Sequence, residues 1–377
     1  MSMFAGGKIY QKLGVRRVIN AMSNATVLGG STPPAAVLEA MEEASDQWVE
    51  MKELLERSGE YIAGVLGAES AYVTSGCAAA LTLSTAACIA GTDPDKIARL
   101  PDTSGMKNEV VLQAKQRYGF DRCFTIPGGR LVIAGDENGC TAEQLEDAIG
   151  PKTAAVAYFI QTDWDSTVLT LEKTVEVAHG RGVPVIADSA SQIYPLDYFQ
   201  GNAQAADLVC FGAKYFGAPH STGVVVGKKD RVDAVVAQGF IAYHYQGRTS
   251  FGRPMKIDRQ EAVGVVAALD RWFSMNHEDR FLEQDRRTTI IQDGLKGVPN
   301  VRAEVVRHQR FYGSTLNVVL DTETLGKTAQ QVSEELDAGA PRIWVNVEGD
   351  DTLALNVHVL NEGEGEIVAD RLRSLLA

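Results

Sequence analysis

The sequence predicts an α/β fold in which helices cover a mostly parallel sheet, together with a smaller α+β domain. Strand and helix patterns alternate from about residue 58 to residue 236, which is typical of such a sheet. Several of these strands are continuous apolar runs, as in strands buried on both faces. After residue 258 the alternation stops, and two long helices precede a set of strands. The 377 residues, 45% of them hydrophobic, suffice for two or three domains with a sizeable core.

The elements of the first domain are predicted in chain order from these patterns. A short strand at residues 71–74 leads directly into a helix of small residues at 76–89. A helix at 141–149 is opened by a threonine cap, and a helix at 171–181 is closed by Gly182. The other predicted strands of this domain are residues 109–113, 131–134, 154–160, 183–187, 208–211 and 223–226.

The second domain has a different pattern. Its predicted helices are residues 258–276, 280–294, 328–336 and 364–376, and its predicted strands are residues 316–320, 343–347 and 352–357. We expect three parts: an N-terminal arm and helix at 1–57 that pack on the small domain, a large domain at 58–257, and the small domain at 258–377.

Composition excludes several classes of function. Forty-nine acidic and 36 basic residues give a net charge of −13 without a basic run, which argues against a nucleic-acid partner. The N-terminus lacks a signal pattern and no apolar stretch is long enough for a membrane span, so we expect a soluble, cytoplasmic protein. Five widely spaced cysteines and six scattered histidines argue against disulfides, structural zinc and a metal centre.

Three segments of the first domain could carry chemistry. Ser75 and Gly76 link a strand to a helix, a junction that suits a phosphate but is also a common packing device. Asp188 ends a buried strand, where it could hold a protonated ring nitrogen, hold a metal, or cap a helix. Lys214 follows another apolar strand, so it is either a nucleophilic amine or a lysine that reaches the surface.

The order of these three segments resembles that of pyridoxal-phosphate enzymes with the aspartate aminotransferase fold, also called fold type I. Along nearly its whole length the chain resembles the branch that contains D-glucosaminate-6-phosphate ammonia-lyases and seryl-tRNA selenium transferases, and it is most similar to the ammonia-lyase group. The segments that carry the resemblance are VINA at 18–21, LGGS at 28–31, VTSGCAAA at 73–80, CIAGTDP at 88–94, LPDTSGMKNEV at 100–110, GVPVIAD at 182–188 and GRPMKID at 252–258.

The resemblance implies a role for each matching residue. Lys214 would form the Schiff base with pyridoxal phosphate and move the substrate's α-proton, while Asp188 would pair with the pyridine nitrogen. The implied phosphate ligands are Ser75, Gly76 and Cys77, with Thr222 as an additional donor. Ala190 would lie under the ring.

The sequence departs from the family pattern at several positions. Gln116 stands where a histidine is expected to stack on the ring, Phe211 replaces a phosphate-bonding serine, and Met22 replaces a small residue. The candidates for substrate binding are Asn20, Arg253, Lys256 and Arg342. Ordinary surface roles are the alternative for the three basic residues.

The resemblance implies a lyase that removes the α-proton of an amino acid or amino-sugar acid, expels a β-substituent and yields a 2-keto acid and ammonia. The alternatives are a seryl-tRNA selenium transferase-like activity, an aminotransferase, a racemase, an aldolase, and a degenerate family member without catalysis. The expected partners are a small amino-acid-like substrate and a second copy of the chain in a homodimer or larger homo-oligomer.

Overall fold

The computed structural model describes residues 7–246, 249–308 and 313–377. Two compact units form within it: one consists of Ser31–Ser274, and the other joins Met1–Gly30 to Met275–Ala377. Elements are numbered along the chain.

The larger unit contains a seven-stranded sheet. Its strands are β2 (Ser70–Thr74), β3 (Glu109–Gln113), β4 (Arg130–Ala134), β5 (Thr153–Phe159), β6 (Val185–Asp188), β7 (Leu208–Gly212) and β8 (Gly223–Gly227). They lie in the order β2-β8-β7-β6-β5-β3-β4. Only β8 runs antiparallel to its neighbours, β2 and β7. The predicted mostly parallel seven-stranded sheet is therefore confirmed.

Helices of the larger unit are α2 (Ala35–Ser45), α3 (Met51–Leu66), α4 (Cys77–Ala90), α5 (Pro94–Arg99), α6 (Arg122–Thr125), α7 (Ala142–Ala148), α8 (Leu171–Gly180), α9 (Leu196–Ala203), α10 (Lys229–Gln238), α11 (Ala242–Gln246) and α12 (Arg259–Ser274). The threonine cap expected at 141 is present: Thr141 accepts from the Gln144 amide, and the Gln144 side chain bonds back to the Thr141 amide. Helix α4 lies against the sheet and is buried on almost all sides, which explains its composition of small residues.

The smaller unit is built on a five-stranded sheet. Its strands, in spatial order, are β1 (Val18–Ala21), β11 (Arg342–Glu348), β12 (Thr352–Asn356), β10 (Gly313–Leu320) and β9 (Val301–His308). Its helices are α1 (Lys8–Lys12), α13 (His277–Gly294), α14 (Thr322–Leu325), α15 (Ala329–Ala338) and α16 (Glu364–Leu376). The core between sheet and helices includes Leu316, Val318 and Ile343.

The boundaries of the two units differ from the domain boundaries expected from the sequence. Residues 31–57 and 258–274 belong to the larger unit, whereas the expected domain boundaries lie after residues 57 and 257. The reason is that α12 packs against α2 and α3, so these three helices join the unit of the large sheet. Among the described residues, no helix combines the length and the apolarity needed to cross a membrane.

Candidate active site

The candidate residues of the larger unit meet at one edge of its sheet. Because β2, β6 and β7 run in the same direction, their carboxyl ends lie at that edge, where β8 begins. Gly223 pairs with Thr74 on one side and with Gly212 on the other. The register therefore brings Ser75, Asp188 and Lys214 to the same edge, as expected for a ligand site in an α/β sheet.

The junction between β2 and α4 forms a cradle for an anion. Gly76 has a φ of 98°, in the left-handed region that favours glycine, and it precedes the helix without a side-chain cap. The first backbone amides of α4, starting with Cys77, therefore stay available to a ligand, and the helix dipole favours a negative charge there. Gly223 packs directly against this junction. A Cβ added to Gly223 would be 2.4 Å from the Gly76 carbonyl carbon and 2.6 Å from the Cys77 nitrogen.

Replacing Gly223 with alanine is expected to deform this cradle. The added methyl group must displace the Gly76 and Cys77 backbone, which we expect to lower the free energy of unfolding by about 1–3 kcal/mol and to weaken phosphate binding. Thermal melts and titration of the apoprotein with pyridoxal phosphate measure both effects. Gly201→Ala in α9 is the matched control, because an added Cβ meets no atom there within 4 Å. Equal affinity of the Gly223→Ala variant and the control would show that the cradle does not bind the phosphate.

Asp188 is a buried carboxylate with donors on both oxygens. Its side chain ends β6 and the residue is 3% exposed. Oδ1 accepts from the Ala190 amide at 3.0 Å and from Cys77 Sγ at 3.5 Å, and Oδ2 accepts from Tyr118 Oη at 2.5 Å. Burial raises the pKa of Asp188, and these hydrogen bonds oppose that rise.

Lys214 lies in a 3₁₀ turn, Ala213–Phe216, that follows β7. Its ammonium nitrogen is 5.0 Å from the centre of the Tyr215 ring. Burial lowers the pKa of Lys214, which increases the fraction of the neutral, nucleophilic amine. His220 lies close enough for the charge of Lys214 to lower the histidine pKa, although burial is the larger cause.

Two predicted cofactor ligands make other contacts in the fold. The Thr222 hydroxyl donates to the Pro219 carbonyl at 2.6 Å, so its proton is already used within the loop. The Gln116 amide is fully buried, donates to the Phe159 carbonyl at 3.1 Å and accepts from the Phe159 amide at 3.4 Å. These bonds connect the end of β3 to the end of β5, and they give no support to a stacking role for Gln116.

Two aromatic residues near the sheet edge, Phe211 and Tyr118, have different roles in the structure. The Phe211 ring is fully buried and meets the Phe199 ring edge-on at 4.8 Å, so this position belongs to the core. The sequence interpretation missed Tyr118, two residues beyond Gln116, whose hydroxyl bonds to Asp188. An aromatic residue just after a buried strand was the available signal, but nothing local indicated its partner.

The four candidate substrate ligands do not form one cluster within either unit. Arg253 and Lys256 belong to the larger unit, where both are exposed. Arg342, in the smaller unit, donates to Asp337 at 2.7 Å and lies 5.4 Å from the Trp344 ring centre. Asn20, also in the smaller unit, accepts from the Met22 amide and donates to the Ser23 carbonyl. Arg342 and Asn20 thus have structural partners of their own.

The residues at the sheet edge fit pyridoxal phosphate. The cofactor needs anion donors for its phosphate, a buried carboxylate for its ring nitrogen and an amine for its carbonyl carbon. The backbone amides at Gly76, the buried carboxylate of Asp188 and the amine of Lys214 are groups of these three kinds and could hold the cofactor. Among the residues that the structure describes, no group of three His, Cys, Asp or Glu side chains could hold a metal ion.

Comparison with known proteins relates the chain to a family and to characterised relatives. Residues 34–337 match the aminotransferase class-V family. The chain is 31% identical over 378 residues to D-glucosaminate-6-phosphate ammonia lyase of Salmonella typhimurium, with 97% of each protein covered. It is 33% identical over 349 residues to a 5'-C-glycyluridine monooxygenase-decarboxylase of a Streptomyces species, with 89% of this chain and 83% of the relative covered.

Solved structures give the same relationship. A structure of D-glucosaminate-6-phosphate ammonia-lyase superposes with a TM-score of 0.86 at 29% identity, with 99% of both chains covered. A NifS-like protein, 13% identical with a TM-score of 0.58, shares the fold. The predicted fold and family are confirmed, and the ammonia-lyase relatives support the predicted lyase class. The chain belongs to the aminotransferase class-V family and is an enzyme that depends on pyridoxal phosphate.

Proposed function

We propose that this enzyme is a lyase that converts an amino-sugar acid with a β-hydroxyl group into a 2-keto acid and ammonia. The observation that carries the proposal is the meeting of the Lys214 amine, the Asp188 carboxylate and the Gly76 cradle at one sheet edge. This arrangement occurs in a chain similar along 97% of its length to an ammonia-lyase. We extend the proposal to the substrate class of that relative, an amino-sugar acid phosphate.

The chain's own residues define the steps. Bound pyridoxal phosphate supplies an electron sink for the charge left on the substrate Cα when its proton is removed. The neutral amine of Lys214 accepts that proton, and its lowered pKa increases the neutral fraction. The buried carboxylate of Asp188 would pair with the ring nitrogen of the bound cofactor and favour its protonated form. The β-hydroxyl would leave as water with the proton that Lys214 accepted, and a second water would release the nitrogen as ammonia, so that the net products are the keto acid and ammonia.

Arg253 and Lys256 are proposed to bind an anionic group of the substrate, for which their exposed positive charges are suited. We also propose at least a homodimer, since a second copy would cover the apolar surface at Trp48, which is 89% exposed, and at Val49. Light scattering of the holoenzyme measures the oligomeric state.

A cytoplasmic location is proposed because all five cysteines are free thiols, which suits a reducing compartment.

A second candidate function is oxidative decarboxylation, favoured by the 33% identity to the Streptomyces monooxygenase-decarboxylase. The two reactions differ in what they consume and release. A lyase needs no oxygen and yields ammonia and a keto acid in equal amounts. A monooxygenase-decarboxylase consumes oxygen and releases carbon dioxide.

The deciding experiment incubates the holoenzyme with D-glucosaminate 6-phosphate, with the unphosphorylated acid and with D-serine, while ammonia, keto acid, oxygen and carbon dioxide are measured. We expect ammonia and keto acid in equal amounts without oxygen uptake, at the greatest rate with the phosphorylated acid. Arg253→Ala is expected to raise KM for that substrate more than for the unphosphorylated one. Oxygen uptake with carbon dioxide release, or no keto acid from any of the three compounds, would overturn the proposed lyase.

A further inference from the structure

Tyr118 reaches the buried carboxylate at the centre of the site. The residue follows the short turn after β3, and its hydroxyl donates to Asp188 Oδ2 at 2.5 Å. The Tyr118 ring stacks on Phe159 at a centroid distance of 4.5 Å and an interplanar angle of 18°. Phe159 is itself the neighbour of Asp188 across strands β5 and β6. The aromatic stack therefore fixes the hydroxyl next to Asp188.

The hydrogen bonds of Asp188 leave room for one more donor. Oδ1 accepts from two donors, Cys77 Sγ and the Ala190 amide. Oδ2 accepts from Tyr118 alone among the described residues. A carboxylate oxygen can accept two hydrogen bonds, so Oδ2 keeps one acceptor position while Tyr118 stays in place. The ring nitrogen of the cofactor and the Tyr118 hydroxyl can thus share this oxygen.

We propose that Tyr118 is a positioning residue that holds Asp188 in its ionised form and in the orientation that keeps the cofactor's ring nitrogen protonated. The proposal rests on the pyridoxal-phosphate cofactor and not on the lyase reaction.

The electrostatics of the pair support this role. Burial raises the pKa of Asp188, and the hydrogen bond from Tyr118 is the strongest of the contacts that lower it. A proton shared between a carboxylate and a ring nitrogen moves toward the nitrogen when the carboxylate becomes less basic. Burial and the charge of Asp188 both raise the pKa of Tyr118, so its hydroxyl stays protonated and remains a donor.

The test loads apoprotein with pyridoxal phosphate that is isotope-labelled at its ring nitrogen and follows the nitrogen resonance by NMR as the pH is raised. In Tyr118→Phe, we expect the nitrogen resonance at neutral pH to move toward its unprotonated value, because a carboxylate that has lost a donor is more basic and takes a larger share of the proton. We expect kcat to fall about tenfold, with KM little changed. The nitrogen resonance requires no substrate, so failure of the proposed lyase reaction would leave this result intact.

Two further proteins complete the design. Tyr61→Phe is the matched control, because Tyr61 Oη bonds to Asp270 Oδ1 at 2.8 Å on the exposed surface, and we expect it to titrate like the wild type. A fluorinated tyrosine at position 118 is a stronger donor, and we expect it to move the nitrogen resonance at neutral pH toward its protonated value. An unchanged resonance in Tyr118→Phe, or shifts of the same sign in the phenylalanine and fluorotyrosine proteins, would overturn the proposal. A lowered melting temperature with an unchanged resonance would show that Tyr118 only packs against Phe159.

Discussion

Replacing Lys214 with alanine is expected to lower kcat by about a thousandfold or more, since general acid-base catalysis contributes about 10²–10⁴ and covalent attachment of the cofactor is lost as well. Lys214 lies at the sheet edge with Asp188 and the Gly76 cradle. Borohydride reduction of the loaded protein followed by peptide mass spectrometry measures the attachment. We expect the wild type to carry the label on Lys214 and the variant to carry none.

The pH dependence of attachment provides a second measurement. Burial lowers the pKa of Lys214, so the rate of attachment should rise with pH and level off below the pKa of an ordinary lysine. Lys173→Ala is a suitable control because Lys173 is exposed and pairs with Glu176 at 2.8 Å. A label on another lysine of the wild type, or normal activity of Lys214→Ala, would remove Lys214 from the proposed mechanism.

Asp188→Asn is expected to reduce turnover by about 10²–10³, comparable to the loss of a fixed electrostatic contact at a reacting group. A neutral amide cannot hold the ring nitrogen protonated, whereas the cradle at Gly76 should still bind the phosphate. We therefore expect the variant to bind pyridoxal phosphate while the deuterium exchange of a substrate's α-proton becomes slow. Exchange at the wild-type rate would contradict the role of Asp188.

The same substitution should change the pH dependence of stability. Burial raises the pKa of Asp188 in the folded protein above its unfolded value, so the folded state binds the proton more tightly. Stability linked to this proton is present at low pH and is lost as the pH rises through the folded pKa. Relative to the wild type, apo Asp188→Asn should therefore gain stability as the pH increases across that interval. Urea unfolding of both apoproteins at several pH values measures this difference.

The elements of the large sheet could be predicted because their signals are local. The apolar runs that form β5, β6 and β7 mark strands buried on both faces, and they were located within one or two residues. Two strands of the smaller unit were missed: β1 has only four residues, and β9 carries charged side chains at several exposed positions. An exposed edge strand with such a composition has a weak apolar periodicity, so its assignment depends on its partner.

The candidate site also has one part that the sequence predicted and another that it did not. Ser75 and Lys214 each follow an apolar strand, Asp188 ends one, and parallel strands bring their carboxyl ends to one edge, so the sequence by itself determined that these three residues lie together. The contacts of Gln116 with Phe159 and of Tyr118 with Asp188 join residues 43 and 70 positions apart. Such contacts depend on strand order and on side-chain direction, neither of which leaves a periodic pattern in the chain. The packing of α12 against α2 and α3, which sets the boundary between the units, is equally non-local, and only the tertiary structure decided it.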